Sequence, residues 1–527
     1  MSRWCRGSAI PSLRSWLCRS ALFLLVPAAI GCAVGPEYVR PPVALNSEWN
    51  QSNDSLVTTQ ARADSAWWKE LGDPTLDTLI AMSWNQNLPL QVTALRIYES
   101  RAQLGIAKGR QWPQIQAAFA NATGVGLSEK AANSFFLDRQ YWDFQAGFDA
   151  AWELDLWRKY GRGVSAEEAS LLASVADYDD ALVSITAEVA RTYSVIRTYE
   201  ALIDQARANV VVQEDGQRIA RSRFRNGATS ELDLSQATTL LESTRASIPQ
   251  LLIGLQQAEN ALSTLLGKPV GFVRPLIATG AERGIPAPPT QAVISVPAEM
   301  LRRRPDIRSA EFTAMAQSER IGIARADMYP SFSLFGTIGT QATEGGRIGS
   351  AADLFSPGSW FYAFGPRLVW PLFNYGRIQN NVRVQDARLQ QLLVDYQNKV
   401  LSAAQEVEDA VAGYAQSRDA VTFQQNAATS AERSVRLAFV QYREGATDFQ
   451  RVLDAERALL QQQTSLTQLQ SDVATYWIAM YKALGGGWEL RRGQPIVPQT
   501  MQEEMRNRTN WGDYFSKQSS PPPSNDR

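Results

Sequence analysis

The chain has 527 residues, 52 Lys plus Arg against 53 Asp plus Glu, and 45% hydrophobic residues. That is length enough for several domains, without the basic excess that a nucleic-acid partner demands. Histidine is absent, and Cys5, Cys18 and Cys32 are the only cysteines, so the commonest general base is missing, no metal site or cofactor is expected, and the composition argues against an enzyme.

Arg3, Arg6, Arg14 and Arg19 precede a short apolar run, Ala21 to Ile30, which ends in Gly31-Cys32. A charged segment followed by a short apolar one has the shape of an export signal. The small residues before Cys32 resemble a lipobox, so a covalent lipid is expected on Cys32. Ala33 stands where an Asp would suggest retention in the inner membrane. Beyond this run no apolar stretch reaches the roughly 18–20 residues of a membrane helix. Any spanning segment must then be a strand.

Two halves of the chain match at an offset of about 218 residues: Gly105-Ile106-Ala107-Lys108 with Gly322-Ile323-Ala324-Arg325, and Phe224-Arg225-Asn226-Gly227-Ala228-Thr229 with Tyr442-Arg443-Glu444-Gly445-Ala446-Thr447. Each half predicts a helix, a strand pair, a long helix, a turn and a returning helix. In Gln140 to Leu156, Trp142, Phe144, Phe148, Trp152 and Leu154 alternate with Asp143, Gln145, Asp149, Glu153 and Asp155. This period of two gives one face to lipid and one to water. Three weaker strands are expected, with Ile115, Ala117 and Phe119, then Phe332, Leu334 and Ile338, then Trp360, Tyr362, Phe364, Leu368, Trp370 and Leu372 on their apolar faces. The stretches 126–139 and 341–357 read as loops. Four strands cannot close a barrel in lipid, so several chains must share one.

Leu171, Val175, Tyr178, Leu182, Ile185, Val189, Thr192, Ile196, Tyr199 and Ile203 form a heptad seam. Leu389, Leu393, Tyr396, Val400, Ala403, Val407, Ala410 and Tyr414 repeat it. Such seams belong to helices that bundle, here roughly 90 Å long at 1.5 Å per residue. Gly227 and Gly445 would end them, and Pro249 should kink the first returning helix. Arg303, Arg304 and Asp306 around Pro305 read as a helix entry rather than a phosphate site.

Several stretches in one order then resemble a known family. They are Cys32-Ala33-Val34-Gly35-Pro36-Glu37-Tyr38, Trp67-Trp68, Leu71-Gly72-Asp73-Pro74-Thr75-Leu76, Trp152-Glu153-Leu154-Asp155-Leu156-Trp157, Arg303-Arg304-Pro305-Asp306-Ile307 and Trp370-Pro371-Leu372-Phe373-Asn374. The chain resembles the outer membrane factors of the TolC and OprM type, in their lipoprotein branch serving RND efflux systems. The resemblance implies a mixed α and β fold: a homotrimer whose twelve strands close one barrel, continued by a periplasmic α-barrel of twelve helices. It implies a passive exit channel for drugs or other toxic compounds in the outer membrane, working with a periplasmic adaptor (a membrane fusion protein) and an inner-membrane RND transporter. The alternative is a channel for type I protein secretion or another exporter.

By position, the resemblance assigns a gate to Tyr442, Asp448, Arg451 and Asp454, with Asp233 structural. It gives the adaptor-docking tips to Gly227, Thr229, Gly445 and Thr447. Residues 1–31 would be the signal peptide, 32–112 the lipidated segment and first helix, 113–156 the first barrel hairpin and 157–267 the first helical hairpin. A Pro-rich equatorial linker at 268–298 and a helix at 299–329 would follow, then the second barrel hairpin at 330–373, the gated helical hairpin at 374–486 and a polar, partly disordered tail at 487–527.

Overall fold

The computed structural model describes residues 33–43, 49–50, 57–58, 66–130, 138–278, 284–289, 292–293, 303–345, 349–491 and 493–515. Cys32 and the export signal lie outside these residues. So do most of the end of the tail and the middles of both expected extracellular loops.

In chain order the elements are β1 (Val57–Thr58), α1 (Pro74–Gln86), α2 (Leu88–Gly109), β2 (Ile115–Gly126), β3 (Gln140–Leu154), α3 (Lys159–Arg225), α4 (Glu231–Leu265) and α5 (Val273–Ala278). Then come β4 (Ala292–Val293), α6 (Pro305–Ala326), β5 (Ser331–Glu344), β6 (Trp360–Val369), α7 (Arg377–Arg443), α8 (Phe449–Ala483) and α9 (Gln499–Arg508). Helices α3 and α7 each have 67 residues, and α4 and α8 each have 35. Pro249 lies inside α4 without ending it. The contacts divide the described residues into two compact units, one within Met1–Arg40, Ser100–Leu171 and Phe312–Leu393, the other within Pro41–Glu99, Leu172–Glu311 and Val394–Arg527.

The first unit carries a four-stranded antiparallel sheet in the order β2-β3-β5-β6. Its register sets Phe148 beside Ile338, Trp152 beside Leu334 and Leu154 beside Phe332, and carries the row on to Tyr362, Pro366 and Leu368 of β6. One face of the sheet is therefore apolar and aromatic. On the other, Asp143, Gln145 and Asp149 stand opposite Thr343, Gln341 and Thr337, and Gln341 Nε2 donates to Asp143 Oδ1 at 2.8 Å.

Strand β2 faces the opposite way from expectation. Ile115, Ala117 and Phe119 pair with Ala151, Asp149 and Gly147 on the polar side, and Ala118, Ala120 and Ala122 join the aromatic face. A run of alanines carries little polarity contrast, and only the pairing decides which side it takes. Phe119 lies over Gly147, where a Cβ would stand 3.0 Å from the ring, and Phe361 covers Gly339 in the same way at 3.1 Å. Two aromatic rings thus occupy the polar face because the neighbouring glycines leave room.

Strand β5 also runs on to Glu344 through residues expected in a loop, since Gln341 and Thr343 complete the polar face. Strand β6 stops at Val369, so Trp370 and Leu372 lie beyond it. Trp370 instead donates its indole N–H to Met328 O at 3.2 Å.

In the second unit most positions of the heptad seams are buried, as Tyr178, Leu182, Val189, Ile196 and Ile203 on α3, and Tyr396, Val400, Ala403, Val407, Ala410 and Tyr414 on α7, while Val175, Ile185 and Tyr199 are half-buried. A core around Trp67, Leu79, Tyr193, Leu262, Trp477 and Tyr481 holds α1 to the helical hairpins. Trp67 stacks on Tyr481 with ring centroids 5.5 Å apart. Asp73 caps α1 by accepting from the Thr75 and Leu76 amides, and its second oxygen accepts from Tyr193 Oη at 2.5 Å. The Leu71-to-Leu76 motif is thus a cap welded to the core.

Arg304 is buried and forks to Asp306 and to Glu406 Oε2 at 2.9 Å, while it donates to Ala483 O at 2.7 Å. It ties the start of α6 to the end of α8, as a helix entry should. Between α3 and α8 runs a polar seam of Thr198–Ser471, Gln205–Thr467 and Asn209–Gln463 hydrogen bonds.

Candidate functional site: the sheet faces and the helical tips

Two surfaces of the chain carry its chemistry. The first is the aromatic face of the sheet. Phe148 is 67% exposed, Tyr362 73% and Phe364 78%. Large apolar side chains left this bare in water would each forgo about 1.5–3 kcal/mol of burial. Both outer strands, β2 and β6, have a neighbour on one side only. Among the described residues no helix is long and apolar enough to cross a membrane, and no group of His, Cys, Asp and Glu could hold a metal ion.

The second surface is the pair of tips where α3 turns into α4 and α7 into α8. Gly227 and Gly445 have φ of +70° and +77°, a left-handed conformation that glycine adopts without a Cβ clash. The Ala228 amide donates to Arg223 O at 2.8 Å and the Ala446 amide to Gln441 O at 2.9 Å. These bonds satisfy carbonyls that the helix ends leave free. Under the turns, Ala220, Ala237, Leu240, Tyr442, Phe449, Val452 and Leu453 form one apolar cluster.

Tyr442 is 1% exposed and sits at the centre of this cluster. Its hydroxyl donates to Asp233 Oδ2 at 3.5 Å, and Phe449 meets its ring edge-on at 5.2 Å. Thr229 Oγ1 donates to the same Asp233 oxygen. The Arg223 guanidinium lies 4.7 Å above the Tyr442 ring and donates to Tyr442 O. Burial raises the Tyr442 phenol above its ordinary pKa, and the Asp233 carboxylate adds to the shift.

The structure therefore joins Tyr442 and Thr229 through Asp233, and adds Arg223, which the sequence did not single out. Arg223 stands one residue before the repeated segment, and its counterpart in the second half is Gln441, so nothing in the residue order pointed to it. Asp448, Arg451 and Asp454 are exposed on the first turns of α8. Asp448 precedes the helix without a side-chain cap bond, and Asp454 accepts from Gln450 Nε2 at 2.9 Å. Arg451 and Asp454 make no ion pair with each other. Gly445 is exposed and Thr447 half-buried.

A sheet with a lipid-compatible face, a polar face and open edges, carried with long paired helices, defines an outer-membrane channel protein. The family described as "Outer membrane efflux protein" matches residues 79–268 and again 296–486. The chain is 30% identical over 475 residues to the "Probable outer membrane lipoprotein SilC" of Salmonella typhimurium, across 89% of this chain and 98% of SilC. It is 30% identical over 494 residues to the "Toluene efflux pump outer membrane protein TtgF" of Pseudomonas putida, across 90% of this chain and 97% of TtgF. The solved structure of the outer-membrane channel OprN superposes with a TM-score of 0.79 at 28% identity, covering 87% of this chain and all of that one. The chain belongs to the outer membrane efflux protein family. It has the mixed α and β fold of that family, resides in the outer membrane and works as a channel rather than an enzyme.

Proposed function

We propose that three copies of this chain close one twelve-stranded barrel, continued by twelve helices as a periplasmic tunnel, and that the assembly is the passive exit duct of an RND-type efflux pump. The observation that carries this reading is the open sheet. Strands β2, β3, β5 and β6 alternate in direction, so β6 of one copy can take β2 of the next in an antiparallel pair. An unpaired strand edge in lipid leaves backbone groups without partners at several kcal/mol each. Eight strands enclose a space just wide enough for side chains, so two copies would leave no duct. Three supply twelve strands and a water-filled lumen lined by Asp143, Gln145, Asp149 and Glu153.

Cys32 would carry the acyl lipid, consistent with the lipoprotein naming of SilC. The tips at Gly227, Thr229, Gly445 and Thr447 would dock a periplasmic adaptor, which links the duct to an inner-membrane transporter. Asp448, Arg451, Asp454 and Tyr442 would form the closed gate, with Arg451 and Asp454 free to pair between copies. Relatives named for toluene efflux and for cation efflux match at nearly equal identity. The conduit thus leaves the choice of cargo to the transporter.

The test is planar-bilayer recording of the detergent-purified protein. Discrete conductance steps that enlarge in Asp454→Asn support the reading. A sealed bilayer with both proteins present rules it out.

A further inference from the structure

Glu456 lies two residues beyond Asp454 but on the other side of α8. It is 5% exposed, whereas Asp454 and Arg457 face solvent. Its Oε1 is shut off from solvent and has no hydrogen-bond partner among the described residues. A Cβ built on Gly216 of α3 would stand 3.9 Å from that oxygen and 3.0 Å from the Phe439 ring of α7. The carboxyl therefore fills a contact between three helices.

The surroundings make this placement unusual. On one side the antiparallel seam of α3 and α8 pairs Thr198 with Ser471, Gln205 with Thr467 and Asn209 with Gln463. Continuing that register brings Glu456 opposite Gly216, which offers no side chain. Gln213, one turn away on α3, is also buried with its Oε1 unpaired. On the other side lies the apolar cluster of Ala220, Tyr442, Phe449, Val452 and Leu453.

Among the described residues no cation compensates the carboxyl. On α3, Glu214, Asp215 and Arg218 are exposed, and Arg218 pairs with Asp215. On α4, Glu242 and Arg245 are exposed and pair with each other. On α7, Arg433 and Arg436 are exposed, and Arg436 pairs with Glu432. On α8 itself, Asp454 and Arg457 are exposed. Burial alone pushes Glu456 up to about 7, because the charged form loses solvation there and its Oε1 has no donor in exchange.

We propose that Glu456 is a protonation switch for the helical tips: neutral, it keeps α8 packed on α3 and α7; ionised, it admits water and loosens the start of α8. In a hydrated tip the carboxyl returns to its ordinary range near 4.5. Packing is therefore complete at acid pH and weakens as pH rises toward 7. Linkage allows up to about tenfold per pH unit across that window. The consequence for conduction rests on the gate reading above, since the start of α8 carries Arg451 and Asp454. The packing switch itself does not.

The experiment is hydrogen exchange of the full-length protein in detergent at pH 5.5 and 8, corrected for intrinsic rates, with bilayer conductance measured in parallel. Wild-type protection over 205–223 and 449–463 should fall by about 10- to 100-fold between the two values. In Glu456→Gln it should stay level, and Glu456→Met, uncharged and of similar length, serves as second variant. Level wild-type protection, or a fall in both variants equal to that of wild type, overturns the switch. Protection that follows Glu456 while conductance does not sustains the switch and refutes the placement of the gate.

Discussion

Replacing Arg223 by Ala should loosen the tips more than any change at the tyrosine hydroxyl. Arg223 donates to the Tyr442 carbonyl at the end of α7 and covers the Tyr442 ring at 4.7 Å. A hydrogen bond from a charged donor contributes about 1.5–3 kcal/mol when buried, and roughly 1 at this half-exposed site. The cation–π contact adds about 0.5–1 kcal/mol, and the positive charge suits the negative end of α7. If the tips form the proposed gate, the sum of about 1.5–2.5 kcal/mol corresponds to a shift of roughly 10- to 60-fold in its closed-to-open ratio.

Tyr442→Phe removes only a bond at the 3.5 Å limit, worth about 0.5 kcal/mol, or roughly twofold. Asp233→Ala removes that bond together with the one from Thr229, four residues away at the start of the same hairpin arm, and should fall between the two. Single-channel open probability gives the ranking, and trypsin cleavage beside Arg221 and Arg225 gives an independent measure of tip exposure. If Tyr442→Phe opens the channel more than Arg223→Ala, or if Arg223→Ala changes neither readout, the hold on the tips does not lie where this structure puts it.

Burial beside Asp306 and Asp177 pushes the Asp180 carboxyl up to about 6, against the pull of Arg304 and Lys482. Because the folded value exceeds the ordinary one, stability from this group is complete below pH 3.8 and lost as pH rises through about 6. Asp180→Asn should therefore stabilise the protein by about 1–2 kcal/mol at pH 7.5, allowing for partial exposure, and by almost nothing at about pH 3, as read by denaturant melts. On the aromatic face, Phe148→Arg should cost about 2–4 kcal/mol in lipid, whereas Asp149→Asn on the polar face should cost almost nothing. The yield of heat-modifiable assemblies from outer membranes measures the difference.

Much of this architecture could be read from residue order because it is periodic and local. The seams on α3 and α7 recur every three and four residues. Gly227 and Gly445 end their helices through bonds to the preceding turn. The alternation in β3 spans enough large aromatic residues to name its faces. What escaped was set by partners distant in sequence. The side taken by β2 depends on pairing with β3, and its alanines look alike on both faces. Arg223 meets Tyr442 across 219 residues and Asp233 meets it across 209. Glu456 sits in a heptad-like run of charged and apolar residues, and only the packing of α3 and α7 around it separates it from the exposed Asp454.

The most direct measurement is the mass of the intact particle, taken by native mass spectrometry on full-length protein extracted from outer membranes. Three chains per particle, lost together when β2 is deleted or its edge is blocked with proline, is the predicted result. A folded single chain that keeps its sheet in lipid without partners would contradict the account.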